Sequence, residues 1–152
     1  MLFRAALAFV LAGFLAGAAQ AEQKETLPQA GAYEVRVRLE MPNVQHRAAT
    51  TATICFPYTG RANGAPFPVL SGNNPLARCP ASNVRRDGAI LRFDILCEGR
   101  GAARGRAVYT LMPGAFEGRI AMVMGGKNMT MTEVQTGRRI GPCASPAAPR
   151  HD

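Results

Sequence analysis

Apolar and polar residues alternate with a period of two over most of the chain from Tyr33 to Thr136, the pattern of half-buried strands. The clearest run sets Tyr33, Val35, Val37, Leu39 and Met41 against Glu34, Arg36, Arg38 and Glu40. A second run, Ala48 to Phe56, places Thr50, Ala52, Ile54 and Phe56 on one side. If Met41 faces Ala48, then Leu39 meets Thr50, Val37 meets Ala52, Val35 meets Ile54 and Tyr33 meets Phe56. In that register every inward residue finds an inward partner. Asn83 to Arg86 and Ala89 to Cys97 flank Asp87-Gly88, a dipeptide suited to a tight hairpin turn. Leu91, Phe93, Ile95 and Cys97 share one face of that hairpin. Ala107, Tyr109 and Leu111 lead into Pro113-Gly114, and Phe116, Gly118, Ile120, Met122 and Met124 lead out. This sets Leu111 against Phe116 and Tyr109 over Gly118. Gly125 to Asn128 then turns the chain into Met129 to Thr136.

No segment after the first two dozen residues shows a helical period. Pro57 to Pro80 is dense in Pro, Gly and Asn, too broken for a strand and too rich in Pro for more than a turn of helix. The expected fold is all-β: an antiparallel meander of six or seven strands, forming a curled sheet or half-barrel, with one long Pro/Gly-rich loop. Alternation fixes which face a residue takes but not whether the sheet closes.

The ends read differently. Met1 to Ala21 has Arg4, an apolar run from Ala5 to Ala18, and Ala19-Gln20-Ala21, the small-x-small pattern of a cleaved secretory signal. The apolar run is short for a membrane span, so no stable anchor is expected after cleavage. Glu22 to Ala30 and Ala144 to Asp152 lack periodicity and are expected to be disordered, which leaves a single β domain from Gly31 to Cys143. The 4 cysteines all follow the signal segment, and an even number in an oxidising compartment favours two disulfides in a periplasmic or secreted protein. Their spacing matches no zinc knuckle. Pairing outward from the Asp87-Gly88 turn brings Cys79 beside Leu96, one position from Cys97, so Cys79–Cys97 is the first choice and Cys55–Cys143 remains. Cys55 then points away from the Tyr33/Val35 face, which puts the second bridge on the opposite face or at a strand end.

The order of features resembles a known family. Gly31 to Pro42 reads G-x-Y-E-V-x-V-x-x-E-M-P, and Thr53 to Cys55 reads T-x-C. Cys79 precedes a polar hairpin with a Cys97-x-Gly99 exit. Met129 to Thr132 reads M-T-M-T, and Gly137 to Cys143 reads G-R-R-I-G-x-C. The chain thereby resembles the bacterial exported domain-of-unknown-function family 3617, with Tyr33 where Trp is often found. The resemblance implies an exported β-sheet protein and carries no activity, ligand or catalytic residue.

Candidate chemistry is sparse. His46 and His151 stand near no Ser or Cys nucleophile with an acidic partner, and no catalytic residue is expected. Glu34, Glu40, Glu98, Glu117, Glu133, Asp87 and Asp94 are read mostly at solvent-side positions. No cofactor is implied. Three non-catalytic readings follow. In the first, the concave face of a curled sheet, lined by Tyr33, Val35, Leu39, Phe93, Ile95, Tyr109, Phe116 and Ile120, holds a small apolar or lipid-like ligand. In the second, the formal charge of +8, almost wholly arginine, serves an interaction surface for an anionic envelope component such as a lipopolysaccharide phosphate. Arg85-Arg86, Arg100, Arg104, Arg106 and Arg138-Arg139 are expected there, at turns and strand ends; a merely solvated face is the plainer reading. In the third, Met122, Met124, Met129 and Met131 share one hairpin face and offer soft thioether ligands to Cu(I), against plain core packing as the competing reading. Nucleic acid is not expected as a partner, because no aromatic residue interleaves the basic ones.

Overall fold

The protein is described by a computed structural model covering residues 28–44, 49–58, 64–127 and 129–144. The signal segment, residues 22–27, His46, residues 145–152 and Asn128 lie outside the described residues. Seven antiparallel strands follow one another: β1 (Gly31–Glu40), β2 (Thr50–Phe56), β3 (Ala81–Asp87), β4 (Ile90–Leu96), β5 (Arg104–Met112), β6 (Ala115–Met124) and β7 (Met129–Gly141). They form one sheet in the order β2-β1-β7-β6-β5-β4-β3. This is the circular order of an up-and-down barrel opened once, between β2 and β3. The long Pro/Gly-rich connection joins the strands at that opening, and among its described residues the helical content is a single 3-10 turn, Pro75–Arg78, capped by the Asn74 side chain.

The alternation sorts the faces as expected. Tyr33, Val35, Val37, Ile54, Phe56, Leu91, Phe93, Ile95, Ala107, Tyr109, Leu111, Phe116, Ile120 and Met122 form the core. Two pairings differ from the sequence reading. Between β1 and β2, Tyr33 faces Ile54, Val35 faces Ala52 and Val37 faces Thr50, two residues away from the expected partners. The reversal comes earlier because Met41 bridges Val44 across Pro42-Asn43, with Asn43 at φ 64. A two-residue offset changes the partners while leaving every side chain on its face.

Between β3 and β4 the turn centres on Gly88-Ala89, with Asp87 facing Ile90. Gly88 takes φ 54, the conformation glycine reaches without a Cβ clash. The register then shifts between Ser82 and Arg85, where Asn83 adopts φ 51, and beyond it Ala81 faces Ile95. Continued outward, that register sets Cys79 level with Cys97, so a β-bulge supplies the one-position adjustment the disulfide needs. Their Cα atoms lie 4.8 Å apart. Cys55 and Cys143 form the other bridge, with Cα atoms 5.7 Å apart, on the outward side of β2 where the chain leaves β7. Loop-entropy estimates assign about 3 kcal/mol to the shorter closure and about 4.5 kcal/mol to the longer one.

Across β5 and β6, Leu111 faces Phe116 and Tyr109 faces Gly118, as the pattern predicts. The glycines matter here. A Cβ on Gly118 would lie 2.1 Å from the Tyr109 ring, and one on Gly137 would lie 2.1 Å from the Phe116 ring. Two aromatic rings therefore lie directly on the backbone of the neighbouring strand, where any other residue would lift them off.

Candidate interaction surface

The concave face is a packed core. Of the eight residues expected to line an open ligand site, Tyr33, Val35, Phe93, Ile95, Tyr109, Phe116 and Ile120 are buried, and Leu39 is half-buried at the end of β1. The long loop fills the space above them. Phe67 stacks on Tyr109 with ring centroids 4.0 Å apart and meets Phe116 edge-on at 4.8 Å, and Val69 and Leu76 join the same cluster. Phe67 lies between Pro66 and Pro68 in an aperiodic stretch, so nothing in the pattern marked it as core.

Glu133 corrects a second expectation. One of the carboxylates expected mostly at solvent-side positions, it is fully buried, 0% exposed. It lies on the inward phase of β7, two residues beyond Met131. Its Oε1 accepts from the Leu70 N–H at 2.8 Å and from Gln135 Nε2 at 2.6 Å. Its Oε2 accepts from the Ser71 N–H at 3.0 Å and from the Ser71 hydroxyl. Gln135 in turn donates to the Pro68 carbonyl and accepts from the Tyr109 hydroxyl at 3.0 Å. Burial, and after it the Glu133 charge, raises the Tyr109 phenol well above its ordinary value of 10.0. This polar network fastens the loop to the sheet, with every described carboxylate contact coming from a neutral donor.

The four methionines come together as expected: Met122 faces Met131, and Met124 faces Met129. Their sulfurs are not equivalent. Met122 is buried and its sulfur accepts from Asn74 Nδ2 at 3.1 Å, while Met129 is exposed at the end of β7. Met124 and Met131 pack against the core.

The outward face is where the charge collects. The sequence placed the arginines at turns and strand ends, and Arg100 does lie in a turn and Arg104 at the first residue of β5, but Arg85 and Arg86 lie within β3, Arg106 within β5, and Arg138 and Arg139 within β7. Arg36, Arg38, Arg92 and Arg119, which the sequence reading left aside, join them within strands. One cross-strand row runs Arg38, Val134, Arg119, Val108, Arg92, Arg85 over β1, β7, β6, β5, β4 and β3. The next row runs Glu40, Thr132, Ala121, Arg106, Asp94, Ser82. Val108 is thus flanked by Arg119 and Arg92 on the neighbouring strands and by Arg106 two residues back on its own. It remains 37% exposed, and Leu96, opposite Arg104, remains 57% exposed.

Part of this charge is neutralised. Arg119 and Arg38 both reach Glu40, Arg106 lies 3.5 Å from Asp94, and Arg138 reaches Glu34. The Arg119 and Arg38 contacts hold the Glu40 carboxyl below its usual range, and Asn83, with Arg106, does the same for Asp94. Arg85, Arg92 and Arg104 form no ion pair among the described residues. Beside them runs a groove of about 570 Å³, lined by Asp94, Leu96, Arg104, Arg106, Ala121 and Val123 among others. Its lining mixes Leu96, Ala121 and Val123 with Arg104 and Arg106 and with the polar Ser82, Asn83, Asp94, Thr130 and Thr132.

The described residues contain no group of three or more His, Cys, Asp or Glu arranged to hold a metal ion. None of their helices is long and apolar enough to cross a membrane. No curated protein and no solved structure matches the chain. A family model matches residues 28–143, spanning all seven strands and both disulfides. By that match the chain belongs to the family described as protein of unknown function, DUF3617.

Proposed function

We infer that the protein is an exported, non-catalytic binding domain that presents the arginine-bearing outer face of its sheet to an anionic partner of the cell envelope. The observation that supports this most is the division of labour between the two faces. The inner face is filled by the chain's own loop, with Phe67 on Tyr109. The outer face bears arginines in mid-strand, interleaved with exposed Val108 and Leu96. Guanidinium groups recognise phosphate and carboxylate geometry, and on a rigid sheet they are held at fixed spacing. The signal-like first 21 residues and the two disulfides favour an oxidising, extracytoplasmic setting.

The test is attachment of the mature protein to vesicles at physiological salt. Vesicles of phosphatidylglycerol in phosphatidylcholine should retain the protein, and vesicles of phosphatidylcholine alone should not. Retention should weaken as salt is raised, because the exposed charges are screened. Equal retention on both vesicles, or none on either, overturns the reading.

A further inference from the structure

Arg85 and Arg92 are directly opposed across β3 and β4. Like charges in that position repel and weaken the hairpin. The Gly88-Ala89 turn sets the register that brings them together, and the bulge between Ser82 and Arg85 follows only beyond them. Neither has an ion-pair partner among the described residues, although a carboxylate is near: Asp94 lies on the same face. Its oxygens are already taken by Asn83 Nδ2 at 2.9 Å and by Arg106. Asp94 still attracts Arg85 at longer range, so one carboxylate is shared between Arg106 and Arg85 and the opposed pair keeps an excess of positive charge. Two guanidinium groups on adjacent strands suit one tetrahedral anion, each offering N–H donors to its oxygens.

The surroundings select among anions. Arg92 is followed across the sheet by exposed Val108, and the adjoining groove is lined by Leu96, Ala121, Val123 and Arg104, with Asp94 among its polar residues. A free inorganic anion has no use for the exposed Val108 and Leu96. A phosphate that carries a hydrocarbon portion would place its headgroup on the arginines and the first part of its chain on the valine and leucine.

We propose that Arg85 and Arg92, with exposed Val108 beside them and the adjoining groove lined by Arg104, Ala121 and Val123, form a specific site for the phosphate headgroup of an anionic lipid. The site rests on the reading of the outer face as the binding surface, and it adds a location and a ligand class. Removing both arginines should cost much more binding than removing two others from the same face.

The experiment compares wild type with Arg85→Ala/Arg92→Ala and with Arg36→Ala/Arg138→Ala, which changes the net charge equally at the other end of the sheet. Attachment to phosphatidylglycerol-containing vesicles should fall about tenfold or more for the first variant and less than about threefold for the second. Equal losses would mean diffuse attraction and would overturn the site while leaving the outer-face reading standing. Absence of vesicle attachment by wild type would remove that reading as well. Amide shifts of wild type on addition of phosphatidylglycerol micelles supply a readout independent of any variant. They should centre on Arg85, Arg92 and Val108, and shifts centred elsewhere would overturn the site. Shifts at these residues with inorganic phosphate, without vesicle attachment, would assign the pair to free phosphate and equally overturn the lipid proposal.

Discussion

The Tyr109 ring lies on the backbone of Gly118, so close that a Cβ at position 118 would sit 2.1 Å from a ring carbon. Tyr109 is held from above by Phe67 and at its hydroxyl by Gln135, which leaves it no room to move aside. Gly118→Ala should therefore behave as an overpacking substitution, destabilising by about 1–3 kcal/mol. The slightly better strand propensity of alanine offsets only a fraction of this. Urea unfolding followed by far-ultraviolet circular dichroism measures it. An unchanged midpoint would show that the ring is free to lift.

Glu133 joins the loop to the sheet through a carboxylate whose described partners are all donors. Glu133→Gln keeps the shape but replaces one acceptor with an NH2 group, which must then face another donor. The loss should be about 2–4 kcal/mol, since a buried donor is left without a partner on whichever side the amide turns. The effect should be local before it is global. Amide exchange at Leu70 and Ser71 should speed up more than exchange at Tyr109 or Phe116. Uniform acceleration would mean that the loop does not open separately from the sheet.

The inward phase of Glu133 was legible, because it continues Met129 and Met131 on β7. A carboxylate's residue type points to solvent, and here phase wins because four neutral donors await it. Phe67 was not legible at all. It stands in an aperiodic run between two prolines, and only the tertiary packing against Phe56, Tyr109 and Phe116 on the inner face of the sheet gives it a place. Tyr109 over Gly118 was read correctly because a short Pro-Gly turn fixes the register close by. The Arg85–Arg92 opposition escaped because it depends on where the turn is centred, and pairing inferred from Asp87-Gly88 put Arg86 beside Ala89 instead. Faces follow from a two-residue period, whereas partners follow from turns and bulges, which composition specifies weakly.

Alkaline pH offers a separate test of the Tyr109 environment. Its phenol is raised well above 10.0 in the folded protein, by burial first and by Glu133 second. Below the unfolded phenol value both states hold the proton, and the contribution is fully present. Between that value and the folded one only the unfolded chain releases its proton, so stability falls as pH rises, by at most about 1.4 kcal/mol per pH unit. Tyr109→Phe should cost about 1 kcal/mol at neutral pH through the lost bond to Gln135. The gap between variant and wild type should then narrow as pH climbs past about 10, since the variant lacks this titration. Urea midpoints across that range decide it, and a constant gap would place the phenol in contact with water.

The opposed arginines predict the reverse of the usual mutational loss. Arg92 makes no ion pair among the described residues and faces Arg85 directly, so its charge opposes folding in the absence of a ligand. Arg92→Thr removes the repulsion and substitutes a residue that favours strands, and should stabilise the free protein by about 0.2–1 kcal/mol. Salt should shrink the difference, because wild type gains from screening a repulsion that the variant no longer has. Thermal unfolding at low and high ionic strength measures both effects. If Arg92→Thr is destabilising, and equally so at both ionic strengths, the aliphatic stem of Arg92 contributes more through packing on Val108 than its charge costs. The guanidinium would then have no unbalanced charge to offer an anion.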